Sequence, residues 1–212
     1  MKTIIQKHKY HWTQKTFFTS AILGCLLLLA SLVINYNAGM YATRNAGPAV
    51  NDIFLDNFPV VNVDFIFMEG AFIFILLLMT LLLIHPKFIP FILKSTSIFL
   101  IIRSIFISLT HIGPSPDQLP IITNSIDKFF IFSGDLFFSG HTGLPFLMAL
   151  IFWNYKGLRR IFMILSIIAG ISVLLGHLHY SIDVFAAFFI TYGIFRMSQI
   201  FFKKDYNYAM LE

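Results

Sequence analysis

The chain carries little charge and almost no cysteine. Only 12% of its 212 residues are Asp, Glu, Lys or Arg, whereas 58% are hydrophobic. This composition excludes an ordinary soluble domain. The single cysteine, Cys25, lies inside the first apolar run, so the sequence excludes a disulfide within the chain and a cysteine-based metal site. The sequence also lacks an internal repeat and a linker to a second domain, and we expect one integral membrane domain over residues 1–212.

Long apolar runs dominate what is present. A membrane-spanning helix needs about 20 predominantly apolar residues, and the chain offers six candidates, of which the fourth and fifth are short. The candidates are 17–34, 63–84, 88–110, 141–153, 161–176 and 180–202. The sequence therefore predicts an all-α fold, a polytopic membrane protein built as a six-transmembrane-helix bundle.

The basic residues predict an orientation. The formal net charge is +5, but the positive residues are dispersed at the ends of the apolar runs, which does not resemble a nucleic-acid surface. In a six-span chain, twelve of the fifteen Lys and Arg residues fall on one side. They are Lys2, Lys7, Lys9, Lys15, Lys87, Lys94, Lys156, Arg159, Arg160, Arg196, Lys203 and Lys204. The positive-inside rule makes that side cytoplasmic, so we expect both termini there.

The two long loops, 36–62 and 111–140, then lie on the outer face and carry five of the ten acidic residues, including Asp117 and Asp127. Because the loops of the opposite face are short and basic, we expect the protein to work on its outer face. The composition favours a bacterial inner membrane as its location.

Two polar stretches interrupt the apolar pattern where the fourth and sixth spans begin. In the first, Ser139, Gly140, His141 and Thr142 stand at the predicted start of a helix. Unpaired backbone N–H groups and the positive end of the helix dipole attract phosphate at such a position. An ordinary helix cap is the alternative interpretation of these small and hydroxylated residues.

In the second stretch, His179 and Asp183 are four residues apart and share one helical face. A carboxylate in that position can hold the far N–H group of the imidazole and raise the basicity of the near nitrogen. A structural pair that satisfies two buried polar groups is the alternative.

Arg103 is the only basic residue that the prediction puts well inside a span. Its planar guanidinium suits a phosphate, and a structural ion pair is the competing interpretation. Glu69, near the outer end of the second span, is a weaker candidate of the same kind.

The two stretches resemble the sphingomyelin synthase-related branch of the type 2 phosphatidic acid phosphatase superfamily. Its signatures resemble G-D-x-x-x-S-G-H-T and H-Y-[ST]-x-D-V, which stand here at residues 134–142 and 179–184. The R-S-I-F-I-S-L-T segment at 103–110 is similar to the family's third-span arginine motif, and P-A-V-N-D at 48–52 is loosely similar to its first-loop motif. The resemblance places the catalytic core at about residues 48–200.

The resemblance implies a two-step transfer of a phospho-alcohol head group from a glycerophospholipid to a lipid hydroxyl. His179 would attack phosphorus and form a phosphohistidine, with Asp183 orienting it. His141 would protonate the leaving diacylglycerol oxygen and later accept the proton of the incoming hydroxyl. The expected substrate-binding residues are Arg103, Asp135, Ser139, Gly140 and Thr142, with Glu69 and Tyr180 as further candidates. We expect no metal and no cofactor, and the partners would be a membrane phospholipid donor and a lipid acceptor.

Departures from the superfamily's lipid phosphatases favour transfer over hydrolysis. Those enzymes carry K-x6-R-P and S-R-x5-H motifs, whereas this chain lacks the first and has Ser172-Val173 at the S-R position before His179. Losing that arginine removes a donor for a phosphate monoester. A lipid phosphatase or phospholipase C-like hydrolase that uses the same histidines stays open as an alternative.

Two other classes fit less well. A haem-bearing electron carrier needs histidines that face one another within the bilayer, but four of the seven histidines gather at one predicted face. Transporters often show inverted repeats and broken helices at mid-depth, which this sequence lacks. The oligomeric state is left open.

Overall fold

The computed structural model describes residues 3–118 and 136–210, and all regular structure in these two ranges is helical. The helices are α1 (Ile4–Trp12), α2 (Lys15–Arg44), α3 (Asp64–Ile84), α4 (Ile89–Leu109), α5 (Gly140–Ile151), α6 (Lys156–Leu175), α7 (Ser181–Phe201) and α8 (Lys203–Met210). A single 3₁₀ turn, Pro86–Phe88, joins α3 to α4. The all-α prediction is confirmed for the described residues.

Five helices are long and apolar enough to cross a membrane, namely α2, α3, α4 with its preceding 3₁₀ turn, α6 and α7. Their outer surfaces carry exposed large apolar side chains such as Phe65, Leu109 and Phe189, as lipid-facing surfaces do. The fourth predicted span corresponds to α5, which has only twelve residues and is about 18 Å long. The structure therefore fits an integral multi-pass membrane protein, and six full spans remain a prediction.

Two predicted boundaries were wrong. The first span does not end at residue 34, because α2 continues to Arg44 and takes in the start of the predicted loop 36–62. Hydropathy falls there, but the small residues Ala38 and Ala42 are buried in one cluster with Ile107 of α4, and this packing extends the helix. The fifth span is not short, because the basic segment that begins at Lys156 is already helical.

Aromatic packing identifies one end of the bundle, which we call the turn end: residues 85–88, residues 152–155 and α8. The Phe88 and Phe152 ring centroids are 4.7 Å apart, and Tyr155 contacts both rings. The first and last helices also meet, through a hydrogen bond between His11 Nδ1 and the Tyr208 hydroxyl. The C-terminal end of α5 thus lies beside the α3–α4 turn, and its N-terminal end points to the opposite end, which we call the site end.

A buried ion pair holds helices together near the turn end. Lys94 Nζ lies 2.7 Å from Asp205 Oδ2 of α8 and donates a hydrogen bond to Ser20 Oγ of α2 at 2.6 Å. Lys94 is inside α4 and only 4% exposed. Two predictions were therefore wrong: Lys94 does not lie at the end of an apolar run, and Arg103 is not the only basic residue well inside a span.

The short helix α5 forms the centre of the bundle. Eight of its twelve residues are buried, and it packs against α4, α6 and α7. Close approach requires glycine at position 143, because a Cβ atom there would lie 2.7 Å from the Phe99 ring of α4 and 2.9 Å from Thr191 Oγ1 of α7. Ser166 of α6 adds a buried hydrogen bond of 2.7 Å to the carbonyl oxygen of Thr142. This packing fixes the N-terminal end of α5 relative to its three neighbours.

Candidate active site

Ser139 caps the start of α5. Its Oγ atom accepts hydrogen bonds from the Thr142 backbone N–H at 3.4 Å and from the Thr142 hydroxyl at 3.2 Å, and its carbonyl accepts one from Gly143 N–H at 3.0 Å. Ser139 and Thr142 are fully buried. Both predicted phosphate ligands therefore form the helix cap, and this cap does not use the backbone N–H group of Gly140.

Arg103 of α4 lies against this helix start. Its Nε atom donates a buried hydrogen bond of 2.9 Å to the carbonyl oxygen of Phe138. A Cβ atom added to Gly140 would lie 3.3 Å from Arg103 Nε and 3.6 Å from Cζ, so the guanidinium is in contact with the first residue of α5. Glycine at position 140 is what allows this approach. The structure thus brings together the arginine segment and the first polar stretch.

The second polar stretch joins the first through the backbone. Ser139 N–H donates to the carbonyl oxygen of Asp183 at 3.1 Å. Asp183 is completely buried, and its Oδ2 accepts a hydrogen bond from Tyr180 N–H at 2.9 Å and lies 3.5 Å from His179 Nδ1. A separation of 3.5 Å is longer than a formed hydrogen bond, but catalytic contacts of this kind often tighten when substrate binds. This geometry directs Nε2 of His179, and not Nδ1, away from the carboxylate.

His141 occupies the first turn of α5 and is half-buried. Its ring lies against Phe67 of α3, with centroids 4.1 Å apart and an interplanar angle of 38°. Glu69 is two residues further along α3 and is exposed. Because residues two apart on a helix point in nearly opposite directions, the structure does not bring Glu69 to His141.

Asp52 is a member of this cluster that the sequence prediction missed. Its Oδ2 atom accepts hydrogen bonds of 2.8 Å from both the backbone N–H and the hydroxyl of Ser181, the first residue of α7. Its Oδ1 atom accepts from the N–H groups of Phe54 and Leu55. Burial raises the pKa of the Asp52 carboxyl, but the hydrogen bonds from Ser181, Phe54 and Leu55 outweigh burial and leave the pKa below its ordinary value. The only signal in the sequence was the loose similarity of P-A-V-N-D.

Tyr180 ties the two loops to the same helix start. Its hydroxyl donates to the carbonyl oxygen of Gly113 at 2.8 Å and accepts from Val50 N–H at 3.3 Å. The loops also pair directly, since Gly47 N–H donates to the carbonyl oxygen of His111 at 2.7 Å. The Tyr180 hydroxyl is therefore engaged in holding loops, which is not the substrate-binding role considered from the sequence.

His177, left out of the predicted site, is also buried there. It is 3% exposed, its Nε2 atom is 3.1 Å from the Phe58 carbonyl oxygen, and its Nδ1 atom has no hydrogen-bond partner among the described residues. Its φ of 53° is in the left-handed region, which few side chains adopt. From the sequence, His177 could be identified only as a neighbour of His179, because nothing in the pattern indicated that it would be buried in the site.

Asp135 and Asp127 lie outside the described residues. Within residues 3–118 and 136–210, no group of three or more His, Cys, Asp or Glu side chains could hold a metal ion.

A family model described as PAP2 superfamily C-terminal matches residues 133–200. The matched segment contains α5, α6 and all but the last residue of α7, together with both predicted catalytic histidines. The match supports the type 2 phosphatidic acid phosphatase superfamily and an enzyme of the lipid phosphatase or phosphotransferase type that acts on phospholipids. No curated protein and no solved structure matches the chain.

Proposed function

We propose that the protein is a membrane-embedded phosphotransferase, similar to sphingomyelin synthases, that moves a phospho-alcohol head group from a glycerophospholipid to a lipid hydroxyl. The observation that carries this proposal is the meeting of three separate sequence segments at one place. Arg103 contacts Gly140, and Ser139 is hydrogen-bonded to Asp183, the partner of His179. A nucleophile, its carboxylate, a second imidazole and a guanidinium are what phosphoryl transfer through a covalent intermediate needs.

In the first step, Nε2 of His179 forms a bond to phosphorus while the bond from phosphorus to the diacylglycerol oxygen breaks. The proton that the leaving oxygen needs comes from His141. Asp183, 3.5 Å from Nδ1 of His179, stabilises the positive charge that develops on the imidazole. The products are diacylglycerol and a phospho-alcohol group bound to His179.

In the second step, the oxygen of the acceptor hydroxyl bonds to phosphorus and the bond from phosphorus to Nε2 breaks. The hydroxyl proton passes to His141, which is thereby returned to its starting state. Arg103 and the backbone N–H group of Gly140 stabilise the phosphoryl oxygens in both steps, because donors fixed in advance cost no reorganisation.

The surroundings of position 173 favour transfer of a phosphodiester over hydrolysis of a monoester. Val173 stands where superfamily phosphatases carry an arginine, and it is fully buried in an apolar cluster with Leu55, Val63 and Phe67. That position supplies no cation, so the site has less positive charge for a dianionic monoester. A phosphodiester carries a single negative charge and needs fewer donors.

The test uses purified protein with phosphatidylcholine, phosphatidylethanolamine, and labelled ceramide or diacylglycerol, with products identified by mass. A labelled phospholipid product supports transfer, whereas release of a free phospho-alcohol or phosphate identifies the hydrolase alternative.

Rapid quenching at alkaline pH, followed by mass spectrometry of the peptide over residues 176–184, tests the intermediate. His179→Ala should form no adduct. His141→Ala should form it slowly, since general acid catalysis contributes about 10²- to 10⁴-fold, and Asp183→Asn should fall between them because the amide disfavours the imidazolium.

His111→Gln is the matched control, because His111 is exposed and outside the proposed chemistry. Normal turnover in His179→Ala would overturn the mechanism.

A further inference from the structure

We infer that Asp52 is a positioning residue for the nucleophile, and that it acts through Ser181 at the start of α7; this inference rests on the proposed function. Asp52 belongs to the loop between α2 and α3 and is 129 residues from Ser181 in sequence. Its carboxylate nevertheless makes two hydrogen bonds of 2.8 Å to that residue.

The link places Asp52 next to the catalytic pair without contact with it. Ser181 lies two residues after His179 and two before Asp183. The carboxylate of Asp52 therefore holds the turn of backbone that carries both side chains. A carboxylate at a helix N-terminus is stabilised by the unpaired N–H groups and by the helix dipole, and its bond to a backbone N–H is charge-assisted. The contact fixes the direction in which α7 starts.

The carboxylate itself is held in place. Asp52 is 8% exposed, and its second oxygen accepts from the N–H groups of Phe54 and Leu55 at 2.8 and 3.2 Å. Its own N–H donates to Asp56 Oδ2 at 3.0 Å. One oxygen of the Asp52 carboxylate accepts from Ser181 and the other from Phe54 and Leu55. The carboxylate therefore has little freedom to move, and a positioning role requires this. A surface loop that only covered the helix would not need this fixed geometry.

The flanking residues lack a comparable link to the nucleophile. Asp56 bonds to the Asp52 backbone and not to Ser181, and the Tyr180 hydroxyl bonds to Gly113 and Val50 in the two loops. Asp52 is thus the side chain from the first loop whose charge reaches the first residue of α7. Asp117→Asn is the matched control, since it removes a negative charge from an exposed side chain of the second loop.

The kinetic test compares Asp52→Asn, Ser181→Ala and Asp117→Asn. Misplacement of a reacting group by about 1 Å can cost about 10²-fold, so we expect Asp52→Asn to lower kcat by about 10- to 100-fold with KM for the phospholipid nearly unchanged. Ser181→Ala keeps the backbone bond and should lower kcat less, and Ser181→Thr should restore it. The double variant, Asp52→Asn with Ser181→Ala, should have a kcat no lower than that of Asp52→Asn, because both changes act on the same interaction. Asp117→Asn should turn over as the wild type does.

A second measurement does not depend on turnover. Labelling with diethyl pyrocarbonate, located by fragment ions that separate His179 from His177, reports how the imidazole is held. We expect Asp52→Asn to raise the labelling rate of His179 several-fold relative to that of exposed His111, and Asp117→Asn to leave the ratio unchanged. This result would support the inference even if no phospholipid were a substrate, in which case only the proposed function fails. An unchanged labelling ratio in Asp52→Asn, additive effects in the double variant, or an equal loss of kcat in Asp117→Asn would overturn the inference.

Discussion

Replacing Arg103 by lysine separates its structural contribution from its proposed chemical one. Arg103 Nε donates to the carbonyl oxygen of Phe138 at 2.9 Å, and Phe138 is fully buried. Lysine carries no donor at that position of the side chain, so the carbonyl would be left unsatisfied, at a cost of about 1–3 kcal/mol in the free energy of unfolding. An ammonium also lacks the planar fork that binds two phosphoryl oxygens. Loss of one donor to transition-state charge typically lowers kcat by about 10²- to 10³-fold.

Two assays divide these contributions. Thermal unfolding in detergent gives the stability loss, and turnover is measured at a temperature where both proteins are folded. Ser166→Ala is the matched control, because it also removes one buried donor to a backbone carbonyl, that of Thr142 at 2.7 Å. It should lose stability but keep its turnover. An Arg103→Lys variant with wild-type kcat and KM and a lowered melting temperature would refute the phosphate-binding role and leave Arg103 as a purely structural residue.

Two further predictions concern packing and pH. Gly143→Ala should lower the melting temperature, because the added Cβ atom would lie 2.7 Å from the Phe99 ring and such overpacking costs about 1–3 kcal/mol. A Cβ atom added at Gly193 meets nothing within 4 Å, so Gly193→Ala should raise the melting temperature through a gain in helix propensity of about 1 kcal/mol. Equal shifts in the two variants would contradict the packing at Gly143. Burial raises the pKa of the Asp52 carboxyl, but its hydrogen bonds leave that pKa below the ordinary value of an aspartate. The stabilising effect of the carboxylate is therefore present above the unfolded pKa and is lost as the pH falls through the folded pKa. The melting-temperature gap between wild type and Asp52→Asn should therefore be constant from about pH 5 to 8 and narrow below about pH 4.

The helical class and most of the element positions could be predicted because hydropathy reports on each segment by itself. The limits of α2 could not be predicted in this way, because the residues from Tyr36 to Arg44 are kept helical by contacts of Ala38 and Ala42 with α4. The residue that pairs with Lys94 could not be predicted either. Asp205 is 111 residues away, and nothing in a single sequence indicates that a lysine inside a span will meet a carboxylate from the last helix.

The candidate site also combines features that the sequence could predict with features that it could not. The spacing of His179 and Asp183 is local, and the two side chains do lie close together. The predicted shared helical face was wrong, because α7 begins at Ser181 and His179 lies before its N-cap residue, Tyr180. The contact of Arg103 with Gly140 depends on how α4 and α5 pack, and the resemblance indicated it only as a set of motifs. Asp52 lay in the least similar motif, and its role depends on a long loop whose path the sequence does not determine.

The shortness of α5 has a physical consequence for the proposed reaction. Its C-terminal end is fixed at the turn end by Phe152 against Phe88, so the length that it lacks relative to the spanning helices is missing at the site end. The position of Arg103, which contacts the start of α5, is consistent with this. Arg103 lies six residues before Leu109, the last residue of α4, and six residues correspond to about 9 Å along a helix axis. The phosphorus of a phospholipid lies just outside a hydrocarbon core of about 30 Å. A helix of about 20 residues would carry its N-terminus, and His141 with it, to about that level. Because α5 starts beside Arg103, about 9 Å below the end of α4, its N–H groups lie deeper than the phosphorus of a lipid in the bilayer. In the proposed reaction the head group must therefore move inward between the helices for its phosphorus to meet His179.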